Sequence, residues 1–225
     1  MKEHNNIFYP DKYEECAVIK ALLSNRTWEK NIVSLFKKYL HKGDIAIDCG
    51  SFIGLHSLKL SDIVGEDGKV FAIEAIPTIY DCVVETINRK EITNITPLNF
   101  ALDSQSNIPL TFLSDHTGES SVEEHRRRPF KYKYIINSKT LDDHFLPLEL
   151  DKINLMKIDV EGHEFKVLKG GEKIIKKYRP IIIMESWPRK KNILCLNLWT
   201  IDNNYYYRKI NNENYLLIPF EKKQN

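Results

Sequence analysis

The sequence predicts an α/β fold: a mostly parallel sheet, closed by a C-terminal antiparallel hairpin and preceded by an N-terminal helical extension. Three observations predict it. Short apolar runs of strand length recur at Ile45-Ala-Ile-Asp48, Lys69-Val-Phe-Ala-Ile-Glu74, Ile153-Asn-Leu-Met-Lys-Ile-Asp159 and Pro180-Ile-Ile-Ile-Met-Glu185. Near-continuous apolar runs of this kind belong to strands buried on both faces. Helical patterns lie between them, and repeated βα units close into a parallel sheet with right-handed crossovers. Finally, Tyr205–Ile210 and Tyr215–Pro219 flank Asn211-Asn-Glu-Asn214, which reads as a hairpin turn.

Taken in order, residues 13–24 and 28–40 carry apolar side chains at helical spacing: Ile19, Leu22 and Leu23, then Ile32, Leu35, Phe36, Tyr39 and Leu40. They make residues 1–42 the helical extension, with Gly43 a helix cap. Residues 43–225 form the main domain. Its first strand runs through a glycine-containing turn into a helix at about 54–64, and Gly65-Glu-Asp-Gly68 turns into the second strand. Pro77 suits the first turn of a helix reaching Lys90. A third strand covers Ile95–Leu102. Residues from about 103 to 140 interrupt the rhythm, with β-like pieces (Ile108–Leu113, Tyr132–Ile136) around a polar stretch holding Gly118-Glu-Ser-Ser121 and Arg126-Arg-Arg128. An insertion this long after a strand is read as a substrate-side β-hairpin. Helices are expected at 163–177 and 191–202.

At 225 residues the chain suits one domain with a substantial core. A net charge of +2 gives no global pull towards nucleic acid or a membrane. The four cysteines (Cys16, Cys49, Cys82, Cys195) form no CxxC pair, which argues against a disulfide framework or zinc cluster and for a reducing compartment. The polar start Met-Lys-Glu-His-Asn-Asn resembles no signal sequence, and no apolar stretch approaches membrane-spanning length. A cytoplasmic location is therefore expected.

Ligands of open parallel sheets collect at the carboxyl ends of the strands, where strand order reverses. Here the strands deliver Asp48-Cys-Gly-Ser-Phe-Ile-Gly54, Glu74, Asp159-Val-Glu-Gly-His163 and Glu185 to that rim. Like charges gathered so closely cost energy unless something binds among them. Gly50 and Gly54 let the backbone approach a ligand and turn sharply, and the helix N-terminus beyond offers free N–H groups. Glu74, 20 residues after Gly54, stands where a carboxylate accepts both hydroxyl hydrogens of a ribose. This describes a nucleoside cofactor, either a dinucleotide or S-adenosylmethionine (SAM). Two details favour SAM. The glycines stand four apart rather than in G-x-G-x-x-G, and Asp48 is a poor neighbour for a pyrophosphate but a good one for the amino group of a methionine moiety.

At these residues the sequence resembles the FkbM family of SAM-dependent methyltransferases. The stretches that carry the resemblance are Gly43 to Leu58, Gly68 to Ala75, Lys157-Ile-Asp-Val-Glu-Gly-His-Glu164, Val167-Leu-Lys-Gly-Gly171 and Arg179 to Glu185. The resemblance implies a Rossmann-like class I methyltransferase fold with a seven-stranded sheet, and O-methylation of hydroxyls on sugars or natural-product scaffolds. It places the cofactor at Asp48, Gly50, Gly54 and Glu74, with Asn99 and Ala101 near the adenine; Ser51, Ala75 and Asp159 are further candidates for cofactor binding. Where the family usually has Gly-Ala-Asn, this chain has Cys49-Gly50-Ser51-Phe52, so Phe52 alters the lining of the pocket.

Methyl transfer from a sulfonium is a direct displacement needing alignment and, for a hydroxyl acceptor, somewhere for the proton to go. His163 is the candidate base, with Asp159 to orient it or contact the acceptor and Glu161 in the same turn. Its alternative reading is a solvent-facing histidine at a helix start. A divalent metal on Asp159 and Glu185, aided by Glu161 or His163, is a further possibility. Trp187-Pro188 offers either an aromatic wall for a sugar or core packing. The Arg126-Arg-Arg-Pro-Phe-Lys-Tyr-Lys133 run is either a solvated hairpin or a contact for nucleic acid or an anionic sugar. The leading expectation is an O-methyltransferase for a small or glycan acceptor. An RNA or cap methyltransferase and a SAM-binding interaction protein are the alternatives.

Overall fold

The computed structural model describes residues 1–13, 15–114, 120–122 and 130–222. The chain opens with an antiparallel hairpin, β1 (Lys2–His4) and β2 (Ile7–Tyr9), turned by Asn5 and Asn6 at φ 54° and 61°. The extension expected to be helical thus begins as β structure. A 3-10 turn at Asp11–Tyr13 leads to α1 (Ala17–Leu23) and α2 (Lys30–Tyr39), inside the expected helical windows.

Next come β3 (Ile45–Cys49), α3 (Leu55–Val64), β4 (Lys69–Ile73), α4 (Pro77–Arg89) and β5 (Ile95–Leu98). The third strand was expected to run unbroken to Leu102. Instead it breaks at Asn99, whose Nδ2 donates to the carbonyls of Glu74 and Ala75 at 2.8 and 3.0 Å. The chain then enters a second sheet through β6 (Ala101–Leu102), β7 (Pro109–Ser114), β8 (Ser120–Val122) and β9 (Tyr132–Lys139), in the order β6-β9-β7-β8. Where a hairpin was expected from about 103 to 140, the described residues thus form a four-stranded sheet that begins at Ala101. Gly118 and Arg126 to Arg128 lie outside the described residues.

After α5 (Leu141–Phe145) the βα rhythm returns with β10 (Leu155–Ile158), α6 (Glu164–Gly170), α7 (Glu172–Tyr178), β11 (Ile181–Glu185), α8 (Lys190–Asp202), β12 (Tyr205–Lys209) and β13 (Asn214–Pro219). The single helix expected at 163–177 is two, broken at Gly171. The central sheet has the order β12-β13-β11-β10-β3-β4-β5, and β13 alone runs antiparallel to its neighbours.

Side chains alternate between the two faces of this sheet, as the two-residue period of a strand demands. Ile47, Met156, Ile158, Ile182 and Met184 pack under α5 to α8. Ala46, Leu155, Ile181 and Ile183 pack under α2 to α4. A third cluster joins Tyr9, Tyr13 and Ile19 of the N-terminal segment to Phe112 and Val122 of the second sheet and to Ile53 and Ile76 of the β3–α3 and β4–α4 loops. The extension and the insertion thereby close over the carboxyl ends of β3 and β4.

Candidate active site

Strand order reverses between β3 and β10, and there the loops after β3, β4 and β10 converge on a cavity of about 570 Å³. The β3–α3 loop is drawn tight. The N–H groups of Gly50 and Ser51 both donate to Ile73 O, at 3.0 and 2.9 Å, and Gly50, Phe52 and Gly54 have φ of 83°, 49° and 81°. Gly50 is required twice over. Its backbone is left-handed, and a Cβ there would meet Asp159 O at 1.9 Å.

Phe52 holds a left-handed conformation that costs a residue with a side chain on the order of 1–3 kcal/mol. Two contacts hold it there: its N–H donates to Glu74 Oε2 at 2.9 Å, and its ring packs 6.3 Å from that of Tyr13. Glu74 Oε1 accepts from the N–H of Ile76 at 2.8 Å. Burial pushes the Glu74 carboxyl up to about 7 against these hydrogen bonds. The group lines the cavity. Ser51 lines it as well, with a buried Oγ that has no hydrogen-bond partner.

Asp48 behaves differently from expectation. It is fully buried behind the loop and does not line the cavity. Its Oδ2 accepts from Ser57 Oγ at 2.6 Å, and Oδ1 lies 4.0 Å from Lys157 Nζ. Burial raises its pKa despite both. Lys157, itself 4% exposed, also reaches Asp159 Oδ2 at 2.8 Å. Burial lowers the lysine's pKa, but Asp159 and Asp48 outweigh that and raise it. A lone lysine inside the apolar run Leu155-Met-Lys-Ile158 is the sequence signal for this buried cation.

Asp159 is further engaged by the side chain of Glu185. Lys157 keeps Asp159 ionised in spite of its burial, and Asp159, burial and Glu161 together push Glu185 up to about 10. The two carboxyl groups sit against each other beside a lysine, which already supplies the cation. Among the described residues no group of three or more His, Cys, Asp or Glu side chains is arranged to hold a metal ion. The donor set thus does not fit the divalent-metal reading of Asp159 and Glu185.

His163 is 2% exposed and lines the cavity, so it is not a solvent-facing helix-start residue. Its Nε2 lies 2.7 Å from Asp103 Oδ2. Asp103, not Asp159, is its carboxylate partner. Burial pushes Asp103 up, but hydrogen bonds from His163 and Ser104 more than compensate and hold it low. Glu161, at φ 57°, lines the cavity at the turn before α6. Of the remaining expected site residues, Ala75 lines the cavity. Asn99 braces the loop after β4, and Ala101 is buried outside the cavity while its neighbours Phe100 and Leu102 line it. Gly54 serves as the left-handed cap of α3. Trp187 is 6% exposed and also lines the cavity.

Sequence reading missed Glu29 and His56. Glu29 caps α2 with φ 42°, and His56 sits in the first turn of α3; both line the cavity with His56 Nε2 3.6 Å from Glu29 Oε2. Neither lies at a strand end, where ligands of open parallel sheets collect.

A nested loop with an unpartnered buried hydroxyl, followed by an acid at the next strand end, fits a nucleoside-bearing cofactor. The family comparison agrees. The FkbM methyltransferase domain matches residues 48–208, and the chain belongs to that family. Hexuronic acid methyltransferase AglP of Haloferax volcanii is 28% identical over 159 residues, covering 69% of this chain and 61% of that protein. The chain thus spans less than two thirds of that relative. A crystal structure of methyltransferase FkbM from Methylobacillus flagellatus superposes with a TM-score of 0.56 at 16% identity, over 94% of this chain and 55% of that one. Aeropyrum pernix fibrillarin, crystallised with bound SAM, superposes with a TM-score of 0.51 at 11% identity, over 84% of this chain and 73% of that one. The fold is that of class I SAM-dependent methyltransferases. Among the described residues no helix is long and apolar enough to cross a membrane.

Proposed function

We propose that this chain is a SAM-dependent O-methyltransferase acting on a hydroxyl of a small acceptor, a sugar or glycan. The observation that carries the reading is one cavity lined both by the Glu74–Phe52 clasp and by Asp159, His163 and Glu185. The family and the hexuronic acid methyltransferase relative support methyl transfer to a sugar-type acceptor.

In this reading Glu74 receives the ribose hydroxyls, Ser51 Oγ and the loop N–H groups take the polar atoms nearest Gly50, and Ala75 with Phe100 frames the adenine. Asp159 and Glu161 face the cationic methionine end, while Asp48 acts from behind through Ser57 and Lys157. Bound SAM supplies an activated methyl group. The chain's own task is to exclude water, align the acceptor oxygen and remove its proton. His163 is the group for the proton, and the Asp103 carboxylate at its Nε2 stabilises the imidazolium that results.

Methyl-labelled SAM incubated with a panel of glycosides tests this. The expected product is an alkali-stable methyl ether on a sugar hydroxyl. Label on nitrogen, or on RNA but no glycan, contradicts the reading.

A further inference from the structure

A second hollow, of about 430 Å³, lies between α1 and α2, and Ala17 and Trp28 line both it and the main cavity. Its walls carry Lys20, Arg26 and Lys30 with the hydroxyl residue Thr27. No Asp or Glu lines it among the described residues; Glu15 and Glu29, close by in sequence, line the main cavity instead. Its cations are largely unspent. Arg26 Nε donates to Ser24 Oγ at 2.9 Å, and that hydroxyl donates back to the carbonyls of Lys20 and Ala21 at 2.7 and 3.1 Å. The backbone N–H of Arg26 returns to Ala21 O at 2.9 Å. The guanidinium is thus braced through one nitrogen, and its two terminal nitrogens remain to bind a ligand. Among the described residues neither Arg26 nor Lys30 has a carboxylate partner. Lys20 Nζ meets Glu15 Oε2 at 2.8 Å, an exposed pair of the kind that contributes little. Cations gathered around one hollow repel each other, and an anion among them relieves that repulsion.

We propose that this hollow is a phosphate subsite for the acceptor, holding the phosphoryl group of a phosphorylated sugar while the hydroxyl to be methylated lies in the adjoining cavity. The inference rests on the proposed methyl transfer to a sugar. Two ammonium groups, a guanidinium fork and a hydroxyl offer more donors than a carboxylate can use, and they suit the several oxygens of a phosphoryl group. Trp28 stands between the two hollows as a shared wall, so one ligand reaches both. A free sugar phosphate, a nucleotide sugar and a lipid-linked phosphosugar all present this group.

Calorimetric titration of the full chain with inorganic pyrophosphate at low salt is expected to show one site. Arg26→Gln and Lys30→Gln, both at exposed positions, are each expected to weaken it about tenfold or more while S-adenosylhomocysteine affinity stays within about twofold. No binding, or equal binding in both variants, overturns the site. The full chain is also incubated with methyl-labelled SAM and a total sugar and glycan extract of the cells it comes from, either untreated or stripped of phosphate beforehand. Stripping is expected to lower incorporation about tenfold or more. Loss after phosphatase alone identifies a sugar phosphate, loss only after nucleotide pyrophosphatase a nucleotide sugar, and label that partitions into organic solvent a lipid-linked phosphosugar. Label in a sugar that no treatment diminishes, and that stays in water, overturns the inference but leaves the proposed activity standing. Label in no product from protein that binds S-adenosylhomocysteine overturns the activity and the inference with it.

Discussion

The N–H of Phe52 donates to Oε2 of Glu74 across 2.9 Å, so the acid at the end of β4 clasps the left-handed residue of the β3–α3 loop. One carboxylate therefore shapes the loop and faces the cavity. Glu74→Ala removes both roles. It is expected to weaken S-adenosylhomocysteine binding at least about tenfold and to cost about 1–3 kcal/mol in urea unfolding, since two buried N–H groups lose their acceptor.

Gly50→Ala tests the junction of β3 and β10. Its Cβ would lie 1.9 Å from Asp159 O on a backbone with φ 83°. The expected outcome is a loss of about 3 kcal/mol or more together with loss of cofactor binding, measured by thermal melting and calorimetry. A stable Gly50→Ala protein of normal affinity would show that the loop is not held against β10.

The strands and their acidic ends were legible because Ile45–Asp48 and Pro180–Glu185 are apolar runs closed by a carboxylate, a pattern that depends only on neighbours in sequence. The Asp103–His163 pair was not, because its partners stand 60 residues apart and meet only when the second sheet folds back onto α6. That Asp48 is buried away from the cavity was not legible either, because sequence gives the end of a strand but not which way its last side chain points. The hairpin at Lys2–Tyr9 has strands of three residues, too short for a period to show. Its Asn5-Asn6 turn was the one available signal, since asparagine tolerates the left-handed region that tight hairpins require.

Lys157 holds two acids at once, and its removal strands both in a buried site. Lys157→Met is expected to destabilise the protein by about 3–5 kcal/mol. Asp48→Asn in the same chain recovers part of that loss, so a double-mutant cycle gives a coupling well away from zero. Strict additivity would show that the ion cluster is not coupled.

Glu164 gives a pH test away from the ligand. It is 2% exposed, and burial pushes its carboxyl up to about 7 from the ordinary glutamate value. The folded pKa lies above the unfolded one, so the favourable contribution is complete below about pH 4.5 and is lost as pH rises through about 7. Its Oε1 accepts from Val160 and Gly162 N–H at 3.3 and 2.9 Å, and a glutamine keeps both bonds. Glu164→Gln is expected to stabilise by about 1–3 kcal/mol at pH 8 and by little at pH 4.5. Parallel stability curves across that range would contradict the buried-acid assignment.

His163 and Asp103 are expected to act together. His163→Asn lowers kcat about 100-fold or more with S-adenosylhomocysteine affinity unchanged, and Asp103→Asn produces a loss of the same kind. Full turnover in His163→Asn at every pH would move the proton acceptor elsewhere.

In the proposed activity the loop from Gly50 to Gly54 and Glu74 together hold the methyl donor. Calorimetric titration of the full chain with S-adenosylhomocysteine measures it directly. One site per chain is predicted, weakened at least about tenfold in Glu74→Ala; no binding of either S-adenosylhomocysteine or SAM to the folded protein would contradict the account.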